Sequence, residues 1–165
     1  MGLLNKIFGK EEALTQADDQ AIVSVCDGEM IPAEKIEDPV FSQQMMGKTI
    51  GFLPEKGSIV SPVNGTVEAI FPTGHAFGIR GVDKTGYLVH IGINTVAMKG
   101  AGFTVLKKTG DEVRAGEAVV KVDLAKVKLS GYQTATMLIV TEPTEGRSYD
   151  YITPDHVKSG QVISR

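Results

Sequence analysis

Short runs in which apolar and polar residues alternate, cut by glycine-bearing turns, recur from about Ala21 to the end of the chain. A two-residue period of this kind predicts half-buried strands. AIVSVCDGEMI opens the series, with a turn expected at Asp27-Gly28. In IVSPVNGTVEAIF, Asn64-Gly65 lies between β-branched runs, which is the strongest local hairpin signal in the chain. Further on, FPTGHAFGIRGVDKTGYLVHIGINTV reads as two strands joined by the turn-rich segment Arg80 to Gly86. Gly110-Asp111 and Ala115-Gly116 mark later turns, and Ser130 to Arg165 reads as mostly β-structure with loops.

Helical spacing is confined to short stretches. Val40, Phe41, Met45 and Met46 fit one apolar face of a helical turn, and 123–129 fits another. Leu3, Leu4, Ile7 and Phe8 repeat at helical spacing beside Lys6 and Lys10, and Glu11 to Gln20 reads as a polar linker. Residues 1–18 are therefore expected to be a flexible tail. Its first ten residues suit either an amphipathic helix with weak membrane contact or an apolar tail. Lys6 stands where myristoylation at Gly2 would want Ser or Thr.

The expected fold is all-β with short helical turns, and composition sharpens it. At 165 residues the chain holds one domain with a full core, here 19–165. Nineteen glycines, seven prolines and no tryptophan favour many short elements over a helical bundle. Seventeen basic against twenty acidic residues, with no basic run, argue against nucleic-acid binding. The single cysteine, Cys26, excludes an internal disulfide, fits a reducing compartment and reads as a small core residue. No apolar run approaches the length of a membrane-spanning helix and no signal-peptide pattern appears, so a cytoplasmic location is expected.

The candidate chemistry lies in the 71–96 segment, which holds two of the three histidines, His75 and His90. A hairpin centred near Val82 and Asp83 sets them opposite, with Cβ atoms about 5 Å apart. A slip of one residue sends them to opposite faces, and the sequence leaves that register open. Facing imidazoles allow one neutral ring to attack while the other donates a hydrogen bond to a developing anion. Thr73, two positions before His75, is placed to orient that ring, and Gly92 to bring a backbone carbonyl to His90. His156, in TPDHVKSG, reads as an exposed loop histidine.

FPTGHAF and YLVHIGINTV together resemble the two active-site segments of the glucose-type IIA component of the bacterial phosphoenolpyruvate-dependent sugar phosphotransferase system. DPVFS at Asp38, SPVNGTV at Ser61, KGAGF at Lys99 and GDEVRAGEAV at Gly110 add to the resemblance in order and spacing. Asn94 departs from it, standing where that family often has Asp. The resemblance implies a barrel-sandwich hybrid (duplicated hybrid motif) fold and a phosphoryl carrier. His90 would be the acceptor, His75 and Thr73 its partners in catalysis, the small carrier protein HPr the donor and a sugar-specific IIB domain the recipient. It also implies an apolar docking surface, expected from Val40, Phe41, Met46, Phe71, Phe77, Leu88 and Val96, which match family surface positions or flank the two histidines. A monomer is expected, with regulated transporters or kinases as further partners. No cofactor is required on this reading.

Two other classes share parts of the pattern. SPVNGTV and GDEVRAGEAV look like segments of biotinyl or lipoyl carriers, but there the lysine hairpin precedes the P-x-x-G segment, whereas Lys99 follows Gly65. A zinc peptidase of related β-fold would need a histidine where Leu88 stands. His75 and His90 alone also leave zinc short of its usual three protein ligands, so zinc there would be intermolecular, completed by a partner's carboxylate.

Overall fold

The structure is a computed structural model that describes residues 17–165. The amphipathic pattern expected in the first ten residues lies outside this range. Eleven strands are described, all paired antiparallel. They are β1 Gly28–Pro32, β2 Lys48–Pro54, β3 Ser58–Val60, β4 Gly65–Ile70, β5 Ala76–Gly81, β6 Gly86–Ile91, β7 Phe103–Val105, β8 Glu112–Val113, β9 Ala118–Val122, β10 Thr136–Glu142 and β11 His156–Val157. Eight of them form one sheet in the order β11-β1-β2-β10-β6-β5-β4-β8, and β3-β9-β7 form a second. The sheets do not close into a barrel, and the all-β class expected from the alternating pattern holds.

Alternation along each strand decides where the core lies. Phe52, Phe77, Ile79, Tyr87, Val89, Leu138 and Val140 of the large sheet pack with Ile59, Val119, Val120 and Val122 of the small one. Each such side chain contributes about 1.5–3 kcal/mol by leaving water. A second, smaller cluster holds Ile31, Ile36, Phe41, Ile93, Ala135, Met137 and Ile139, with Leu88 packed on it. β10 is buried on both faces because it feeds both clusters: Leu138 and Val140 enter the first, Met137 and Ile139 the second.

Two helices are short and begin at aspartate caps. In α1, Pro39–Ser42, the Asp38 Oδ1 accepts from the Val40 N–H at 2.9 Å and Pro39 supplies a first residue with fixed φ. In α2, Leu124–Leu129, the Asp123 Oδ1 accepts from the Lys126 N–H at 3.1 Å.

Several local expectations are corrected. Asn64-Gly65 is not a hairpin turn: β3 and β4 belong to different sheets, and the dipeptide is the crossing between them. Asn64 is buried there, its amide donating to the Ala17 carbonyl and its Oδ1 accepting from the Ala115 N–H. Gly65 is required because a Cβ would lie 2.1 Å from the Arg80 carbonyl oxygen. Ala21 to Cys26 holds an isolated bridge at Val23 in place of a full strand, and all six residues are buried where the alternation implied that only every second one would be. The segment after 130 has two strands and isolated bridges, less β-structure than expected. His156 lies in β11, not a loop; it is exposed, with its Nε2 2.7 Å from Glu55 Oε1.

Candidate functional site

β5 and β6 present one face to the main core through Phe77, Ile79, Tyr87 and Val89. The opposite face carries Ala76, Gly78, Leu88 and His90, and it meets the smaller cluster beside Met137, which pairs with His90 across β10. The register pairs Ala76, not His75, with His90, so the hairpin is centred one half-position beyond the expected Val82–Asp83 midpoint. A regular strand would then send the two histidines to opposite faces. They meet because His75 lies in the bend before β5, where strand alternation does not apply. The ring centroids are 5.2 Å apart and the planes nearly perpendicular, at 80°.

The bend is built by Phe71 to Gly74. The Gly74 N–H donates to the Phe71 carbonyl at 2.8 Å, and the Phe71 N–H reaches the Ala76 carbonyl at 3.0 Å. Gly74 has φ +73°, a conformation open to glycine, and packs against Phe103 and Val105. This turn brings the Thr73 Oγ1 to 2.5 Å from His75 Nδ1, the contact anticipated from their spacing. The edge of the Phe71 ring covers His75 at 5.2 Å, and Phe41 lies 5.0 Å from His90.

His90 Nδ1–H donates to the Gly92 carbonyl at 2.9 Å, which leaves Nε2 with the lone pair. Among the described residues, the Tyr151 hydroxyl alone is a buried polar side-chain atom without a partner. The Nε2 atoms of both histidines, which have no protein partner, are therefore open to solvent. Burial pushes the His90 pKa down to about 4, helped by charge repulsion with His75; the Gly92 carbonyl and the Asp38 carboxylate oppose this. Burial also lowers His75. The larger shift falls on His90, which has more protein packed around its ring, although His75 exposes less of its surface. Both rings are neutral at pH 7.

Four of the expected docking residues, Val40, Met46, Phe71 and Val96, are 40–55% exposed around the histidine segments, and Leu88 is half-buried. Phe41 and Phe77 are corrected. Phe77 alternates onto the core face of β5, and Phe41 turns inward from α1 onto the second cluster, so neither offers a docking surface. The four apolar residues of 40–46 thus do not share a face: Val40, Met45 and Met46 point outward. Sequence reasoning missed Asp38 as an electrostatic neighbour of His90. The cap signature was visible, but its proximity to β6 depends on tertiary packing. Cys26 is wholly buried, and burial raises its thiol pKa to about 12, as befits a core residue.

Among the described residues, no group of three or more His, Cys, Asp and Glu side chains is gathered as a metal site. No described helix is long and apolar enough to cross a membrane. These features define the class: an all-β domain bearing a two-histidine site at its surface. Comparison with known proteins names the family. Residues 20–145 match the phosphoenolpyruvate-dependent sugar phosphotransferase system, EIIA 1 family. The glucose-specific EIIA component of Staphylococcus aureus is 36% identical over 160 residues, covering 97% of this chain and 95% of that protein. A glucose-specific EIICBA component of Streptococcus pneumoniae is 44% identical over 122 residues, 74% of this chain and 17% of its own length. Among solved structures, glucose permease IIA from Mycoplasma capricolum superposes with a TM-score of 0.82 at 33% identity, covering 87% of this chain and 93% of that one. The chain belongs to the EIIA 1 family of the sugar phosphotransferase system.

Proposed function

We propose that this chain is a cytoplasmic phosphoryl carrier that takes a phosphoryl group onto His90 Nε2 from phosphohistidine on HPr and passes it to a cysteine of a sugar-specific IIB domain. The observation that carries this reading is the bond from His90 Nδ1–H to the Gly92 carbonyl. It directs the lone pair to an accessible Nε2 on a ring kept neutral by burial. In the accepting step the donor's P–N bond breaks as a bond from phosphorus to His90 Nε2 forms, and the donor imidazole recovers its electron pair. Delivery reverses the roles, with a thiolate as the attacking group.

Transfer of this kind asks for positioning and charge stabilisation more than covalent machinery. The Thr73 hydroxyl donates to His75 Nδ1, which places a proton on His75 Nε2 and aims it at the phosphoryl oxygens. Both partners must reach the same nitrogen, and the exposed Val40, Met46, Phe71 and Val96, with Leu88, suit a docking face used by each in turn. The fused S. pneumoniae relative, whose name joins IIA to IIB and IIC, is consistent with IIB as the recipient. The test is incubation with HPr, its kinase and phosphoenolpyruvate, read by intact mass and peptide mapping. One phosphoryl group on His90 is expected; mapping to His75 or His156 overturns the assignment.

A further inference from the structure

Thr95 is completely buried five residues beyond His90, at the start of the single turn Thr95–Met98. Its Oγ1–H donates to the Ile91 carbonyl at 2.5 Å, closing the loop 91–95 against the end of β6. The N–H of that same Ile91 donates to the His75 carbonyl at 2.7 Å, so the residue braced by Thr95 also holds the backbone of His75. The methyl of Thr95 lies under Gly92: a Cβ at that glycine, whose φ is +78°, would fall 2.4 Å from Thr95 Cγ2 and 2.8 Å from the Gln133 carbonyl. Gly92 is pinned further by its own N–H, which donates to the Ala135 carbonyl at 2.9 Å.

We infer that Thr95 is a positioning residue that fixes the tautomer of His90 and its spacing from His75, its hydroxyl holding Ile91 and its methyl holding Gly92. The Gly92 carbonyl selects the Nδ1–H tautomer only while it points at that nitrogen, and a glycine in the left-handed region has no side chain of its own to stop it turning. Thr95 supplies that stop from below and ties it to the peptide that carries His75. This deepens the reading of His90 as the acceptor and rests on it.

The variants Thr95→Val and Thr95→Ser separate the two contributions. Valine keeps the methyl and loses the hydroxyl; serine does the reverse. Nitrogen-15 spectra of the imidazoles report the His90 tautomer directly, with no phosphoryl donor present. Thr95→Val is expected to mix the Nε2–H tautomer into His90 and to slow phosphoryl acceptance about 5- to 10-fold, the loss of one buried hydrogen bond. Thr95→Ser keeps the bond to the Ile91 carbonyl but removes the stop beneath Gly92, so it should admit a smaller share of that tautomer and slow acceptance about 2-fold. A single wild-type tautomer with an unchanged rate in Thr95→Val overturns the inference. If valine prevents folding, the unmodified protein decides: the Thr95 hydroxyl proton should exchange slowly and show a cross-peak to its neighbours, and a fast-exchanging proton overturns the inference. Failure of wild type to accept phosphate on His90 would instead remove the carrier reading and leave the tautomer result standing.

Discussion

The two ends of the β5–β6 hairpin are treated in opposite ways. At the turn end Asp83, Thr85, Arg147 and Tyr149 are tied down. Asp83 Oδ2 meets Arg147 Nη1 at 2.5 Å, its Oδ1 accepts from the Thr85 N–H, and Arg147 Nη2 donates to the Gln20 carbonyl. The Tyr149 hydroxyl meets Thr85 Oγ1 and accepts from the Thr144 N–H, while the Arg147 guanidinium lies 5.0 Å over the Tyr149 ring. Burial raises the Asp83 carboxyl, but the Thr85 amide and Arg147 outweigh it and hold the group below its ordinary value. At the histidine end, one nitrogen of each ring is fixed and the other is left open. The same pair of strands is therefore locked at one end and chemically available at the other. A rigid anchor lets the open end be precise without being closed.

Removing the open nitrogen should have the largest effect. His90→Ala is expected to abolish phosphoryl acceptance in the HPr assay. His75→Gln should retain part of it while slowing delivery to IIB about 10- to 100-fold, because an amide still offers one donor where the imidazole did. Full acceptance by His90→Ala would erase the functional contrast between the two ends.

Breaking the locked end should move stability instead. Asp83→Ala leaves the Arg147 charge without its partner in a site where both side chains are about 15% exposed, and a loss of about 2–4 kcal/mol is expected by denaturant unfolding. Transfer by the fraction still folded should stay near wild type. A large drop in transfer at unchanged stability would mean that the turn end steers the histidines directly.

Much of this contrast was legible in the chain, and the reasons differ by end. The histidine end is written locally: Thr73 and His75 are two apart, His90 and Gly92 two apart, and both hydrogen bonds followed from that spacing. The register was not, because the Gly74 bend lets His75 leave the strand pattern on which the expectation rested. The turn-end network was invisible since Asp83 and Arg147 lie far apart in sequence and meet only through the fold. Asn64-Gly65 misled for a related reason. A hairpin signal and a crossing between sheets use the same residues, and only the pairing of β3 with β9 and of β4 with β5 tells them apart. Phe77 was misassigned because its closeness to His75 in sequence says nothing of which face the strand turns to the core.

The pH response should sharpen the difference next. His90 has a folded pKa of about 4 against 6.5 for an ordinary histidine. The unfolded chain therefore binds its proton first as pH falls. Stability from this group is fully present above pH 6.5 and declines as pH drops toward 4, by up to about 3 kcal/mol. Acceptance at constant fold should persist at pH 5.5, where a free imidazole is mostly protonated. A His90 titration midpoint near 6.5 in NMR spectra would show that burial does not protect the ring.

The smallest expected effect concerns Asn94, between the open end and the turn Thr95–Met98. It has φ +60° and is exposed, and its side chain makes no capping hydrogen bond, so its fit here rests on the tolerance of Asn for left-handed backbone. Asp shares that tolerance, which makes Asn94→Asp a change of charge with little change of conformation. A carboxylate near phospho-His90 would repel the phosphoryl group by roughly 1–4 kcal/mol at 4 Å, depending on effective dielectric, and by less at longer range. Phosphohistidine hydrolysis at pH 7 is thus expected to be slower in the wild type than in Asn94→Asp. Delivery to IIB should speed up in the variant to the extent that repulsion helps expel the group. The difference should shrink as salt is raised, since an exposed charge is screened within about 8 Å at physiological ionic strength. Equal half-lives at low salt would leave residue 94 with its backbone role alone.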